Sequence, residues 1–264
     1  MKTSEPTANR IIEYLEQGKR FDGRKLEDFR EIIIEKDVSK KAEGSVRVKL
    51  GNTEVLVGVK LGVSEPYADS PTKGNLMVTA ETLPLSSVRY ESGPPRIEAI
   101  EWARVTDRGL RESGFIDFDK LSIIDGEKVW TVFVDIYSIN ADGNLMDAAM
   151  IGAIAALKIA RLPKFDKETG KAVFELTDKG LPLTNNVPYT VSVHKLGNSL
   201  IVDPTLEEED LSEARVTIGS YEGIISSVQK SNSAALTIEE MKKVFELGEK
   251  ISKDLKVKIE KLLK

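Results

Sequence analysis

The feature that most constrains the fold of this chain is an apolar helical segment between Asn144 and Pro163. Small residues recur along it, at Ala148, Ala149, Gly152, Ala153, Ala155 and Ala156. A helix that is apolar nearly all round cannot lie on a protein surface. Its longest apolar run, 148–157, is too short to cross a bilayer. The segment therefore predicts a helix, ending near Ala160, that is enclosed between two layers of structure.

Apolar or alternating runs predict β-strands on both sides of this helix. Val46, Val48 and Leu50 alternate with polar residues, and the alternation resumes over 55–61 after a Gly51-Asn52 turn. These two runs form a β-hairpin. Further strands are predicted over 29–38, 76–85, 129–139, 187–194, 199–203, 214–219 and 222–228.

Helices are predicted over 6–18 and 96–112, and a capping box of Thr237 and Glu240 begins a closing helix that runs to about 263. Because strands and helices do not alternate regularly, the pattern favours an α+β fold with mixed or antiparallel sheets covered by helices.

The predicted organisation has four parts: an N-terminal helix in 1–20, a first unit over 21–163, a connecting segment over 161–185 and a second unit over 186–264. A repeated Gly-Asn-Thr/Ser motif at 51–53 and 197–199 indicates that the two units are related.

Composition excludes several kinds of site. The chain has no cysteine and one histidine, which rules out disulfides, zinc–thiolate and iron–sulfur sites, thiol nucleophiles and a multi-histidine metal centre. His194 ends an alternating Val-Ser-Val-His run, so we expect a partly buried strand residue rather than a catalytic base. Residues 1–6 contain no hydrophobic signal region, and we expect a cytoplasmic protein.

Charged residues make up 31% of the chain, the formal net charge is −5, and glutamine occurs only at Gln17 and Gln229. Enrichment in Glu and Lys with few thermolabile side chains favours a thermophile. The alternative is chance composition.

An arginine stripe lies on the helix predicted over 96–112. Arg104, Arg108 and Arg111 share one helix face, and Arg96 precedes them near the helix start. Guanidinium groups on one face can hold a phosphodiester backbone, because each planar fork bonds two phosphate oxygens. The alternative is a solvated helix, since acidic neighbours are close enough for ordinary ion pairs: Glu98, Glu101, Asp107 and Glu112.

An acidic stretch follows the strand predicted over 199–203. It contains Asp203, Glu207, Glu208, Glu209, Asp210 and Glu213. Clustered carboxylates can bind Mg²⁺, but charge runs are usually solvated loops, and the spacing favours the loop.

The turn Asp142-Gly143-Asn144 leads from a strand into the apolar helix. Backbone N–H groups at such a junction can bind an anion. The turn has no basic side chain, and Asp147 in the first helical turn would repel an anion. We therefore expect Asn144 to act as a helix cap.

Together these segments resemble the RNase PH family over nearly the whole chain. The resemblance rests on Phe21-Asp22-Gly23-Arg24, on Ala141-Asp142-Gly143 before the alanine-rich helix, and on the acidic segment 203–219. The most specific stretch is 94–101 followed by 103–108. It is most similar to one branch of the family, the non-catalytic RNase PH-like ring subunits of the archaeal exosome.

This resemblance implies an RNase PH-like fold of two related β-α units. It also implies phosphorolysis, in which inorganic phosphate attacks the RNA 3′ end. Catalytic members bind phosphate with a small hydroxyl residue and an arginine after the loop glycines, and they use two aspartates six residues apart.

This chain departs from that pattern, with Leu145 and Met146 at the phosphate-binding positions and Glu209 and Arg215 at the aspartate positions. An apolar pair cannot hold a multiply charged anion, and a guanidinium repels Mg²⁺. We expect no catalytic residue, no metal site and no activity of the chain alone.

The resemblance further implies that Arg104 and Arg108, with Arg111 and Arg96 behind them, contact RNA and help to order the active site of a catalytic partner subunit. Three such pairs would close a hexameric ring. The implied partners are this catalytic RNase PH-like subunit, RNA-binding cap subunits and single-stranded RNA, with no membrane. No cofactor is implied in this chain; inorganic phosphate, with Mg²⁺ as an option, would act at the partner's site.

Two alternatives stay open. The chain could itself be an active phosphate-dependent 3′–5′ exoribonuclease in a homomeric ring, with a metal bound through Glu208, Glu209 or Asp210. It could also be a pure scaffold whose arginines serve only a subunit interface.

Overall fold

The computed structural model describes residues 3–264, apart from the side chain of Phe174. Met1 and Lys2 lie outside the described residues. They belong to the predicted N-terminal unit and to residues 1–6, which contain no predicted hydrophobic signal region. The helices are α1 Glu5–Glu16, α2 Ile97–Glu112, α3 Leu145–Ile159, α4 Leu206–Asp210 and α5 Ile238–Leu263, and a 3-10 turn spans Phe118–Leu121.

The strands of the first unit are β1 Ile32–Lys36, β2 Gly44–Leu50, β3 Thr53–Ser64, β4 Asn75–Thr82, β5 Ser122–Ile124 and β6 Lys128–Asn140. They form one sheet in the order β1-β2-β3-β6-β4, and β5 also pairs with β6. The β4–β6 pair is parallel and the other pairs are antiparallel. The sheet is therefore mixed, as the sequence predicted.

The remaining strands are β7 Arg161–Asp166, β8 Lys171–Gly180, β9 Tyr189–Leu196, β10 Ser199–Val202, β11 Ala214–Tyr221 and β12 Ile224–Ser231. The last four form an antiparallel sheet in the order β10-β9-β11-β12. The turns that contain the repeated motif join β2 to β3 and β9 to β10, and Gly51 and Gly197 have nearly equal φ values of 57° and 56°. Both positions need the left-handed backbone that glycine adopts without strain.

Helix α3 lies between the two larger sheets, as predicted. It packs against β2 and β3 on one side and β9 on the other. Its residues from Leu145 to Leu157 are all buried. Gly152 packs so closely on Val57 that a Cβ atom there would overlap the valine side chain. No helix within residues 3–264 is long and apolar enough to span a membrane.

The segment over 161–185, for which no strand was predicted, contains regular structure, because β7 and β8 form a two-stranded antiparallel hairpin there. Its turn contains Gly170 at φ 66°, which permits the chain to reverse. Phe165 on β7 packs edge-to-face on Trp130, with ring centroids 6.5 Å apart. This contact anchors the hairpin to the first unit.

The N-terminal helix α1 packs on the second unit. Its buried residues Ile11 and Leu15 cluster with Leu196 and Ile201 from β9 and β10. The start of the chain is thus fastened to a hairpin that follows it by almost two hundred residues in sequence. Amphipathic spacing predicts that α1 has an apolar face, but it does not indicate which sheet covers that face.

Candidate functional site

Helix α2 presents the arginine stripe because its opposite face is buried against β4 and α3. The buried face consists of Ala99, Trp102, Ala103, Val105, Thr106, Gly109 and Leu110. Arg104, Arg108 and Arg111 are exposed on the other side, and Arg96 is exposed at the N-cap position.

The four arginines differ in their partners. Arg111 donates to Asp107 at 2.8 and 3.1 Å and to the Leu76 carbonyl at 3.2 Å. Arg96 donates to Glu91 at 3.3 Å and to the Arg89 carbonyl at 3.0 Å. The solvated-helix interpretation with intrahelical ion pairs therefore describes Arg111.

Arg104 and Arg108 have no such partners. Within residues 3–264, neither guanidinium makes a hydrogen bond or an ion pair. We call these two residues the arginine ridge. Because they are exposed and unpaired, a ligand anion can bind them without first displacing a carboxylate.

The arginine ridge separates two grooves. The first, between α2 and β12, has a volume of about 800 Å³ and is also lined by Ile97, Ile100 and Val228. We call it the β12 groove. The second has a volume of about 420 Å³ and runs along the other side of α2, past Val78 of β4. Both grooves are lined by Arg104 and Arg108, so the ridge is accessible from either side.

The first two residues of α3 offer a phosphate neither charge nor a side-chain hydrogen-bond donor. Leu145 and Met146 are 5% and 2% exposed and belong to the hydrophobic core. Gly143 has φ 82° and lies directly against the backbone of Pro204 and Leu206. The positions that the resemblance assigns to a hydroxyl and an arginine are thus core positions in this chain.

The predicted position of Asn144 as the helix cap is confirmed, but the side-chain capping bond expected of it is absent. Asn144 stands at the N-cap position with φ 54°, and its side chain makes no capping hydrogen bond. Its Nδ2 instead donates to Asp203 Oδ1 at 2.9 Å. A buried carboxylate is a strong acceptor, and this contact takes the place of the local cap.

Asp203 is the centre of a buried ionic cluster. Its carboxylate accepts from Arg24 at 2.9 Å and from the backbone N–H, Nε and Nη2 of Arg30 at 2.8 to 2.9 Å. Arg30 also donates to the carbonyls of Asp142 and Gly143 at 2.7 and 3.1 Å. The cluster joins the start of the first unit, the loop before α3 and the start of the acidic segment.

The next acidic residues are also paired. Glu208 accepts from Arg20 at 2.9 and 2.5 Å while completing a capping box with Thr205. Asp210 accepts two hydrogen bonds from Arg89, both at 2.7 Å. Burial alone would raise the pKa of Asp210, but the Arg89 contact outweighs it and the pKa lies below the usual range.

The acidic segment is therefore an ion-pair layer rather than a solvated loop. The loop prediction is wrong for Asp203, Glu208 and Asp210, because arginines from distant parts of the chain neutralise their charges. Within the described residues, no group of three or more acidic or histidine side chains is arranged to hold a metal ion.

Glu209 and Arg215 occupy the positions assigned to the catalytic aspartates. Arg215 forms an ion pair with Glu101 of α2 at 2.6 Å and donates to Ser231 at 3.0 Å. Burial raises the pKa of Glu209, and the charge of Arg215 partly opposes this rise. The ion-pair partner of Arg215 is thus Glu101 of α2.

His194 is fully buried on β9 and lies 3.0 Å from the Ser212 hydroxyl through Nδ1. Burial, aided by the charges of Arg215 and Arg20, lowers its pKa to about 3. It is therefore neutral at pH 7, which agrees with a structural strand residue.

Sequence reasoning missed several residues that shape this region. Arg20, Arg30 and Arg89 pair with the acidic segment but belong to none of the sequence motifs described above. Arg24, which also pairs with this segment, belongs to the motif at 21–24. Asp147 is fully buried and accepts from the Ser192 N–H and hydroxyl at 3.0 and 2.9 Å. Burial raises its pKa to about 7. No local pattern in the sequence signals these pairings.

Comparisons with known proteins agree with this architecture. The family model for domain 1 of the 3′ exoribonuclease family (RNase PH) matches residues 28–163, and the model for domain 2 matches residues 186–251. The exosome complex component Rrp42 of Thermococcus onnurineus is 47% identical over 242 residues, which cover 90% of this chain and 88% of that protein. The Rrp42 of Methanocella arvoryzae is 45% identical over 251 residues, covering 95% and 94%.

Solved structures are similar over the same length. A chain of the Archaeoglobus fulgidus exosome with RNA bound to the active site has a TM-score of 0.89 and 38% identity, covering 96% of this chain and 98% of that one. A chain of an archaeal exosome core has a TM-score of 0.85 and 36% identity, covering 97% of both. With both domains matched and nearly the whole length aligned, the chain belongs to the 3′ exoribonuclease family, RNase PH.

Proposed function

We propose that this chain is a non-catalytic ring subunit of an archaeal exosome core, which takes part in 3′-to-5′ RNA degradation without performing the reaction itself. Support comes from its similarity to proteins named as exosome components. The proposal rests on the difference between the start of α3 and the arginine ridge. Leu145 and Met146 at the start of α3 are core side chains, while the arginine ridge has no partner among the described residues.

The proposed inactivity of the isolated chain is supported by the chemistry at the start of α3. An attacking phosphate needs hydrogen-bond donors and positive charge, and Leu145 and Met146 offer neither. The neighbouring cations Arg24 and Arg30 are already bound to Asp203. Arg215 is bound to Glu101, so it cannot serve a phosphate without breaking that ion pair.

RNA contact is assigned to the arginine ridge. Exposed guanidinium groups bind phosphate oxygens in bidentate fashion and tolerate any base sequence. The chain as a whole carries a formal charge of −5, but local potential decides where a polyanion binds. Arg111 and Arg96 take a secondary role, because each would have to leave a carboxylate to contact RNA.

The proposed assembly is a ring of three pairs, each formed with a catalytic RNase PH-like subunit whose active site this chain helps to order. Inorganic phosphate, and Mg²⁺ if the reaction requires it, would act at that partner's site. Single-stranded RNA and RNA-binding cap subunits complete the proposed set of partners, and the proposed location is the cytoplasm.

The first test is a phosphorolysis assay with RNA and inorganic phosphate. The purified chain alone should release no nucleoside diphosphate, and release should begin when the catalytic subunit is added. Release by the chain alone would support the homomeric, catalytic alternative instead.

The second test measures RNA affinity of the assembled complex. Arg104→Ala combined with Arg108→Ala should weaken RNA binding by about tenfold or more. The double change should also reduce the slope of log affinity against log salt concentration by about one to two. Arg161→Ala, on the distant hairpin, is the matched control and should change neither quantity. An unchanged affinity and slope, with no RNA crosslinks to 96–111, would favour the pure scaffold.

A further inference from the structure

Strand β12 is the terminal strand of the second sheet, and in the part of the chain that the structure describes its outer edge pairs with no other strand. It is eight residues long and contains no proline. Proteins normally shorten, charge or cover such edges, because a row of unpaired backbone groups recruits other strands. Here Lys230 is the single charged residue of the strand.

The β12 groove lies along this free edge. It is lined by the consecutive residues Ser227, Val228 and Gln229, which pair regularly with β11. Successive side chains of a strand point to opposite faces of the sheet. A groove lined by all three therefore faces the edge of β12, where its unpaired N–H and C=O groups lie.

The opposite wall of the groove is the N-terminal half of α2. Ile97 and Ile100 are 75% and 43% exposed there, and Val228 across the groove is 47% exposed. Glu101 lies between the walls and is fixed by Arg215 and Ser231. The groove thus combines a backbone edge, an apolar wall and a rim formed by the arginine ridge.

We propose that an extended segment of the catalytic partner subunit occupies the β12 groove as a fifth strand of the second sheet. Its backbone pairs with the edge of β12, and its alternate side chains, spaced about 6.8 Å apart, place apolar groups against Ile97 and Ile100. This inference rests on the proposed function, since it takes the partner from the ring assembly.

A polypeptide fits this groove better than a nucleic acid. Unpaired backbone donors and acceptors along a strand edge are complementary to another strand. Single-stranded nucleic acid favours aromatic side chains for base stacking, and none of the residues lining the groove is aromatic. The partner's segment would lie beside the arginine ridge, which places RNA held on the ridge next to the partner.

Hydrogen–deuterium exchange of the wild-type complex tests the pairing. Amides at alternate positions within 224–231 should exchange at least about tenfold more slowly in the complex than in the chain alone, because an antiparallel edge directs every second amide outward. RNA without the partner should give no such protection. Unchanged exchange in the complex, or protection by RNA alone, would overturn the inference.

A matched pair of variants tests the apolar contact. Ile100→Glu should weaken association with the catalytic subunit by about tenfold or more, because it places a carboxylate in the apolar wall of the groove. Val257→Glu, at a 69% exposed position on α5, should leave association unchanged. Circular dichroism and thermal melting establish that both variants fold, and equal association of the two would contradict the proposal.

The outcomes separate the two proposals. If the wild-type chain and the catalytic subunit form no complex, the proposed function fails and the strand addition fails with it. If they form a complex in which β12 stays unprotected, the ring function stands and the fifth strand is wrong.

Discussion

Arg215 on β11 forms an ion pair with Glu101 on α2 across 2.6 Å. The other oxygen of Glu101 accepts from Ser231 on β12. A residue at a position assigned to a catalytic aspartate therefore fastens the helix of the arginine ridge to the second sheet. In this chain the side chain at that position holds α2 against β11 and β12.

Replacing Glu101 should show how much this contact stabilises the fold. Burial alone would raise the pKa of Glu101, but the hydrogen bonds from Arg215 and Ser231 hold it below the usual range. Glu101→Ala leaves the Arg215 side chain, 12% exposed, without its carboxylate. We expect the free energy of unfolding in urea to fall by about 1–3 kcal/mol. Glu98→Ala on the exposed part of the same helix is the control, and an equal effect of both changes would contradict the assignment.

Asp203 should be more sensitive, because two arginines depend on it. Asp203→Asn keeps the shape of the side chain but removes the charge that Arg24 and Arg30 share. We expect a loss of about 2–4 kcal/mol in unfolding free energy, since a buried charge is left uncompensated. Denaturant unfolding measures the loss, and limited proteolysis should show faster cleavage near the loop 141–144.

The control for Asp203 is Asp178→Asn, on a fully exposed side chain 3.8 Å from Arg161. It should leave the unfolding midpoint unchanged. An Asp203→Asn protein as stable as this control would show that the cluster does not hold the two units together.

Introducing at positions 145 and 146 the residue types that the resemblance assigns to catalytic members should not create a phosphate site. Leu145→Ser with Met146→Arg places a charge where the present side chains are 5% and 2% exposed. We expect a loss of more than about 3 kcal/mol in stability. Thermal melting with and without inorganic phosphate is the measurement, because a bound ligand raises the melting temperature. The milder Leu145→Ser change gives the same test if the double variant does not fold, and a phosphate-dependent rise in either variant would contradict the expectation.

His194 predicts a pH dependence of stability. Burial lowers its pKa to about 3 in the folded chain, against 6.5 as the ordinary value. Between these two pH values His194 binds a proton in the unfolded chain but not in the folded chain. The stability that neutral His194 contributes is therefore complete above about pH 6.5 and is lost as the pH falls toward 3. His194→Asn removes this titration and should lose less stability than the wild type between about pH 7 and pH 5. Equal losses by denaturant unfolding would show that another group causes the dependence.

Much of the architecture could be predicted from local pattern. Three short-range features of the sequence match the structure. They are the alternation around Gly51 and Asn52, the all-round apolar character of α3 and the Thr237–Glu240 capping box. The hairpin over 161–180 was missed because its strands carry many charges, such as the exposed cross-strand pair Lys164–Glu175, and therefore lack an apolar strand pattern.

The sequence by itself determined the α+β class, the enclosed helix, the arginine stripe and the apolar character of Leu145 and Met146, because these depend on residue type and short-range periodicity. Only the tertiary structure decided which charges are free. Arg20 and Glu208 are 188 residues apart in sequence yet form a buried ion pair, while Arg104 and Arg108 stay unpaired within the described residues beside acidic neighbours. Charge pairing follows distance in space, which the chain sets only when its two sheets close around α3.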